Sequence, residues 1–254
     1  MSQPLVSIVT IAYNSADTIG ATLQSVADQD YPNIEHIIID GASTDDTLAV
    51  ARQFPHISKI ISEKDDGLYD AMNKGIRQCT GDIIGIINSD DFFNSNTVVR
   101  EVVEKMESEK TDALYADLVY VHRVNTDKVL RSWRTGKFRP YKFLFGWMPP
   151  HPTLFVRKPI YAKYGTFNTK LTFSADYDLM LRLLYKYRVS VSYLPKIIVR
   201  MRIGGVSNVS LANRLKANKQ DREAWRNNDL KPYFFTVTLK PLRKVVQWYS
   251  RLIP

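Results

Sequence analysis

The residues of this 254-residue chain best suited to chemistry are carboxylates that recur directly after short apolar runs. Asp40 closes IEHIIID, Glu63, Asp65 and Asp66 follow ISKIIS, and Asp90 and Asp91 follow DIIGIIN and Ser89. Acids brought to one place repel one another unless cations or donors compensate. Oxygen ligands without competing His or Cys suit Mg2+ or Mn2+, which also bind phosphate oxygens. The chain carries neither G-x-G-x-x-G nor G-x-x-x-x-G-K-[ST], which argues against a dinucleotide or P-loop site and for a metal-bridged diphosphate. No His/Cys set has zinc spacing.

The elements that must position these acids alternate. LVSIVTIA, IEHIIID, ISKIISE and DIIGIIN read as strands. Between them TIGATLQSVADQ, TDDTLAVARQF and DAMNKGIRQC read as helices, the first capped by Asn14 or Ser15 and the second by Ser43 or Thr44. Near-continuous Ile/Val runs, each followed by a helix, predict a parallel sheet covered on both faces. Ligands of such sheets bind beyond the carboxyl ends of the strands, where the acids lie. After residue 111 the pattern is mixed. ALYADLVYVHR and KVLRSWR read as strands paired around Asn125–Lys128, ADYDLMLRLLYKY as a helix, VSVSYL and KIIVRMRI as two strands about Pro195, and SLANRLKANKQDREAWRNN as a polar helix.

Four blocks in this order carry a resemblance. SIVTIAYNSADTIGATLQSVADQDYPNIEHIIIDGASTDDT, GLYDAMNKGI, GDIIGIINSDD and TFSADYDLMLRL resemble glycosyltransferase family 2, over roughly residues 4–205. The resemblance implies the GT-A fold, an α/β nucleotide-diphospho-sugar transferase architecture, and inversion at the anomeric carbon. It implies that Thr10, Ala12, Tyr13 and Asp40 hold the base and ribose, and that Asp65, Asn73 and Ser89 line the nucleotide pocket. Asp90 matches the metal ligand of the family's DXD motif and Asp91 is a second candidate, for metal or donor sugar. Asn88 stands where the motif's first Asp is usual. Asp176 matches the catalytic base, with Ala175 in place of the usual preceding Glu. On that reading the enzyme is a metal-dependent hexosyltransferase that moves a sugar, UDP-linked by expectation, to a hydroxyl of a glycan or lipid-linked acceptor in surface polysaccharide synthesis. His151, Arg200 and Arg202 are weaker assignments to the acceptor or donor-sugar side, with Gly204 and Gly205 as part of a closing loop or a turn.

Plainer readings stand beside these. Asp40 before Gly41 suits a turn. Asp70 suits the N-cap of the GLYDAMNKG helix, and Asp90–Asp91 that of a helix starting near Asn96. Asp176 and Asp178 both open a helix, where acids meet the dipole favourably. Asn73 divides evenly between a polar helix face and the pocket. Two other functions use similar ingredients: a sugar-nucleotide nucleotidyltransferase, which would need a basic Gly-rich N-terminal loop, and a non-catalytic nucleotide-sugar-binding module.

Composition sets the rest. The single cysteine, Cys79, reads as a small packed thiol and fits a reducing compartment. No leader and no span of ~18 apolar residues is legible, which predicts a cytoplasmic protein, on the inner face of the plasma membrane if it is bound there. The net charge of +9 is uneven: residues 213–254 hold ten Lys/Arg against three Asp/Glu, a net +7. The expected organisation is a catalytic domain over 1–212, with a nucleotide-binding half at 1–110 and an acceptor-binding half at 111–212, followed by a basic amphipathic helical tail at 213–254. Leu239, Leu242, Val245, Val246, Tyr249, Leu252 and Ile253 share one helical stripe, which with the aromatics upstream suits peripheral membrane contact through 232–254. Packing of the stripe on the domain or a homodimer contact are the alternatives, and nucleic acid is not expected as a partner.

Overall fold

The computed structural model describes residues 3–204 and 211–240, without the side chains of 211–214. The Ile/Val runs form a parallel sheet, as their pattern predicts. β1 (Val6–Ala12) pairs with β2 (Ile34–Asp40) and with β4 (Ile83–Asn88), and β2 pairs with β3 (Ile57–Ser62). The registers Ala12↔Asp40, Asp40↔Ser62 and Ile11↔Asn88 bring four strand ends to one edge.

The sheet then continues in mixed sense through β8 (Phe155–Arg157), β6 (Ala113–Val121), β9 (Val191–Arg202) and β5 (Asp91–Phe93), with β7 (Val129–Trp133) on β6 as a hairpin. β9 is one strand where two were expected. Pro195 donates no ladder hydrogen bond, and the register against β6 slips there, from Ala116↔Leu194 to Asp117↔Ile197, so the bulge absorbs the proline.

Strand alternation sorts the core into two layers. Val9, Ile11, Ile37, Ile39, Ile84 and Ile86 meet α3 (Leu68–Gln78) and α6 (Ala175–Met180) on one face. On the other, Ile8, Ile38, Ile83 and Ile87 meet α1 (Ala16–Ala27), α2 (Thr47–Ala51) and α4 (Val98–Glu109). Cys79 is buried and its thiol is pushed up to about 12 by burial, so it is a packed group and not a nucleophile.

Several boundaries differ from the sequence reading. α1 starts after Ser15, whose hydroxyl makes no cap bond. α2 is shorter than TDDTLAVARQF, with Asp46 and neither Ser43 nor Thr44 at its N-cap, because Ser43, Thr44 and Asp45 are bonded to Asp40, Asn14 and Ala16 instead. Gly67 caps α3, and Asp70 sits one turn in, accepting from the Asp66 N–H at 3.2 Å. α4 is capped by Thr97, and Asp91 begins a strand, not a helix. The helix from Ala175 passes into a π-helical stretch at Leu181–Lys186.

The expected boundary at 212/213 falls inside α7 (Leu211–Asn227), whose Ala224 and Trp225 are fully buried in the α3/α6 layer. The Trp225 indole donates to the Tyr177 hydroxyl at 3.0 Å, and Val237 is buried in the same layer. Residues 211–240 therefore pack on the domain, and the stripe beyond Lys240 lies outside the described residues.

α3 can approach the sheet only because residue 75 is glycine. A Cβ there would stand 2.3 Å from Val9 Cγ1 and 3.3 Å from Ile39 Cγ1. Gly75→Ala gains up to ~1 kcal/mol of helix propensity, but overpacking costs about 1–3 kcal/mol. Since one methyl must enter a space of 2.3 Å, the strain prevails. The variant should unfold at lower urea than the wild type by chemical denaturation, and an equal or higher midpoint would show that the sheet gives way.

Candidate nucleotide-diphosphate and transfer site

The shared edge of β1, β2, β3 and β4 gathers most of the expected residues. Tyr13, just past β1, is 66% exposed and lies beside Gly41 and Asp65: a Cβ on Gly41 would sit 3.3 Å from the Tyr13 ring and 2.9 Å from Asp65 Oδ2. An open aromatic face next to an acid is a surface on which a flat ring can stack. Asp65 is fixed by Lys74, whose Nζ is 2.7 Å from Asp65 Oδ1, 3.0 Å from Glu63 and 3.4 Å from Asp70. Burial opposes the Lys74 charge, but these acids more than offset it and raise its pKa.

Other expected residues lie beneath this surface. Asp40 is fully buried and accepts from Ser43 N (3.0 Å), Ser43 Oγ (2.5 Å) and Ser62 Oγ (2.6 Å), so it holds the GAST turn in place. Thr10 is buried with its hydroxyl 2.9 Å from His36 Nε2, and His36 Nδ1 lies 2.9 Å from His56 Nε2. The Asn73 amide is taken up on both sides by the Phe167 backbone, at 2.9 Å each, and ties α3 to the acceptor half. Ala12 is buried at the strand end, where its carbonyl accepts from Gly41 N–H. Ser89 turns the chain, donating its N–H to Ile11 O and accepting from Thr22.

The acid pair beyond β4 is the electrostatic centre. Asp91 is 0% exposed and accepts from Asn88 Nδ2 at 3.1 Å and from the Arg202 N–H at 3.2 Å. Burial, then the neighbouring Asp90, push its pKa well above the carboxylate range. Burial raises Asp90 as well, against the pull of Arg202 and Arg123. Arg202 is itself buried, donates to the Asp90 carbonyl at 2.6 Å and stacks 4.9 Å over the Phe92 ring. It therefore acts on the shape of the Asp90 loop. Arg200 is held by Asn94 Oδ1 (2.8 Å) and the Thr126 carbonyl (3.0 Å), away from the acids. Gly204 lies 3.5 Å from Arg123 Nη1 by its Cβ direction, and Gly205 is outside the described residues.

The residues fit a divalent cation that takes most of its ligands from elsewhere. Asn88 Oδ1 is buried without a hydrogen-bond partner, and Asp90 is a desolvated acid beside it in sequence. No three His, Cys, Asp or Glu converge among the described residues. Asp91, enclosed by Asn88 and the β9 backbone, supports this set from behind.

Asp176 opens α6 and is only half-buried. Its Oδ1 accepts from Tyr177 N–H at 2.8 Å and from the Tyr69 hydroxyl at 3.3 Å. Asp178 is enclosed, 2.7 Å from Arg182 and 2.9 Å from Asn228 Nδ2. Geometry thus separates two acids that helix-start logic treats alike. His151 packs edge-on against Phe167 at 5.4 Å; burial lowers its pKa, and the Asp176 charge opposes that shift. Burial raises the pKa of Tyr120 on β6, the Arg131 charge opposes, and the Asp91 and Asp176 charges add to the shift. Arg131 lies 3.8 Å over the Tyr120 ring, and Trp133 stacks on it at 6.5 Å. Sequence reasoning passed over Tyr69 and Tyr120. The only signal for Tyr69 was its place inside the GLYDAMNKG block.

A mixed sheet whose parallel half ends in acids at one edge defines an α/β domain with a candidate ligand site beyond its strand ends. The model of Glycosyl transferase family 2 matches residues 7–168, and the chain belongs to that family. It is 32% identical over 219 residues to the UDP-Glc:alpha-D-GlcNAc-diphosphoundecaprenol beta-1,3-glucosyltransferase WfaP of Escherichia coli, covering 84% of this chain and 82% of that one. Among solved structures it is similar to S. aureus TarS 1-349 in complex with UDP (TM-score 0.68, 18% identity, 98% of this chain and 75% of that). It is also similar to the mannosyltransferase PcManGT from Pyrobaculum calidifontis in complex with GDP-Man and Mn2+ (TM-score 0.63, 15% identity, 100% and 77%). The fold is GT-A.

The histidine chain behind Thr10 carries a pH dependence. Burial, with His56 adding, pushes His36 down to about 3. A base whose folded pKa lies below its unfolded value of about 6.5 contributes stability that is complete above pH 6.5 and lost as pH falls towards 3. Between pH 7.5 and pH 5 the wild type should lose about 2 kcal/mol more than His36→Gln in urea unfolding. Equal losses would mean that His36 takes up its proton while folded.

Proposed function

We propose that the chain transfers a sugar from a UDP-linked donor to a hydroxyl of a glycan or lipid-linked acceptor, with inversion, on the cytoplasmic side of the membrane. The observation that carries the reading is an acid pair at the end of β4, with the Asn88 side-chain oxygen left unpaired beside it, in a chain whose half-buried Asp176 is held by Tyr69 from α3. The fold, the family and the donors named for WfaP, TarS and PcManGT support a nucleotide sugar, and the acceptor named for WfaP supports a lipid-linked diphosphate sugar.

In this reading Tyr13 stacks on the base, and Asp65, fixed by Lys74, meets its polar edge. Thr10, Ala12, Asp40, Asn73 and Ser89 shape the pocket around it. Asp90 and Asn88 Oδ1 would hold Mg2+ or Mn2+, which would neutralise charge on the leaving diphosphate. Arg202 keeps the Asp90 loop in register. Asp176 Oδ2, the oxygen away from the Tyr177 N–H, accepts the proton of the acceptor hydroxyl as that oxygen bonds to the anomeric carbon and the bond to the diphosphate breaks. Tyr69 donates to Asp176 Oδ1 and fixes the carboxylate, and His151 lines the acceptor side.

A panel of UDP-, GDP- and dTDP-sugars with Mn2+ should give nucleoside-diphosphate release from a UDP-sugar. Asp176→Asn should lower kcat by about 10²–10⁴-fold with donor KM little changed. Absence of donor binding across the panel would overturn the donor assignment, and full turnover by Asp176→Asn would overturn the base.

A further inference from the structure

A connected row of aromatic rings stands on the surface where the 3-10 segment Pro140–Phe145 meets the chain after α7. Tyr141, Phe145, Tyr233 and Phe234 are 53%, 44%, 52% and 93% exposed. Their rings run without a break: Tyr141 to Phe145 at 6.3 Å, Phe145 to Phe235 at 5.9 Å, and Phe235 to Phe234 and Tyr233 at 5.1 and 5.2 Å. Single exposed aromatics are ordinary, whereas a contiguous row marks a contact surface.

The row is built on a rigid base. Thr236 Oγ1 donates to the Leu144 carbonyl at 2.7 Å, and Thr236 and Val237 are buried. Gly146, at φ +71°, admits the second segment: a Cβ there would stand 2.5 Å from Lys240 N. Lys240 crosses to Asp221 at 2.7 Å. The rings are therefore presented by packed backbone.

The charge around the row has one sign. Residues 134–145 contain Arg134, Lys137, Arg139 and Lys142 and no acid, and residues 230–240 contain Lys231 and Lys240 and no acid. Arg139 and Lys231, next to the row on either segment, are exposed. This charge disfavours a second copy of the chain, because a two-fold contact would set the same positive rim against itself. It favours an acidic surface. Rings with an apolar body, two of them ending in a hydroxyl, suit the headgroup level of a bilayer. Among the described residues no helix is long and apolar enough to cross a membrane, so the contact is peripheral.

We propose that Tyr141, Phe145 and Phe234, rimmed by Arg139 and Lys231, dock the chain on a bilayer carrying acidic phospholipid. The proposal stands independently of the donor and base assignments. It adds residues of the 3-10 segment Pro140–Phe145 to the contact expected through 232–254.

The test is sedimentation of the full chain with vesicles of phosphatidylcholine alone and of phosphatidylcholine mixed with phosphatidylglycerol. The chain should bind the mixed vesicles, and binding should weaken in 1 M salt, where the screening length is about 3 Å. Phe234→Ser with Tyr141→Ser should weaken binding about tenfold or more, and Arg139→Gln with Lys231→Gln should weaken it on the mixed vesicles only. Phe234→Ser alone removes a side chain with almost no packing and keeps the test valid if the double variant misfolds. Binding no better to mixed than to neutral vesicles, or unchanged binding by the aromatic variants, would overturn the proposal. So would a concentration-dependent dimer, without lipid, that Phe234→Ser abolishes.

Discussion

The arrangement at the end of β4 follows from one unfavourable interaction: two adjacent carboxylates, one of them fully buried. Two like charges 4 Å apart repel by about 4 kcal/mol at an effective dielectric of ~20, and burial adds to this. The chain relieves the inner acid with donors. Asn88 and the Arg202 N–H bond to Asp91, and its raised pKa favours the neutral form. Among the described residues the outer acid shows no side-chain hydrogen bond; a backbone hydrogen bond and the charges of Arg202 and Arg123 offset its burial in part, and the Arg202 guanidinium itself bonds to the Asp90 carbonyl. A desolvated acid of this kind gains from a cation. The β5–β9 ladder, the bulge at Pro195 and the stacking of Arg202 on Phe92 serve to place it.

The same dependence reaches the other half of the molecule. Asn73 joins α3 to the Phe167 backbone, and Tyr69 on the same helix reaches Asp176. One helix therefore fixes both Asp65, through Lys74, and Asp176, through Tyr69. Trp225, bonded to the Tyr177 hydroxyl, braces the start of α6 from the far side, so that α7 belongs to the catalytic unit.

The parallel half was legible because buried strands in such sheets must be continuous Ile/Val runs, and the strand-end acids followed from it. Asp90 was legible from the family's motif and from the expense of paired acids. Other features were not. The short strand beginning at Asp91 exists only through pairing with β9, more than a hundred residues later, so no local pattern announces it. Asp40 and Asn73 have polar side chains that suit a pocket, but their partners are Ser62 and the Phe167 backbone, set by tertiary contact. Asp176 and Asp178 share a helix start, and only the positions of Arg182 and Asn228 show which is enclosed. The polar helix after residue 210 hid a fully buried tryptophan, so composition read as a tail what packing makes part of the core.

If Asp90 is an acid left short of positive charge until a metal-bound diphosphate arrives, metal and nucleotide must strengthen one another's binding. Calorimetric titration of UDP with and without Mn2+, on the wild type and on Asp90→Asn, tests it most directly. Mn2+ should tighten UDP binding to the wild type by about tenfold or more. Asp90→Asn should lose that gain while keeping the metal-free affinity set by Tyr13 and Asp65. An Mn2+ gain undiminished in Asp90→Asn, or no gain in the wild type, would contradict the account.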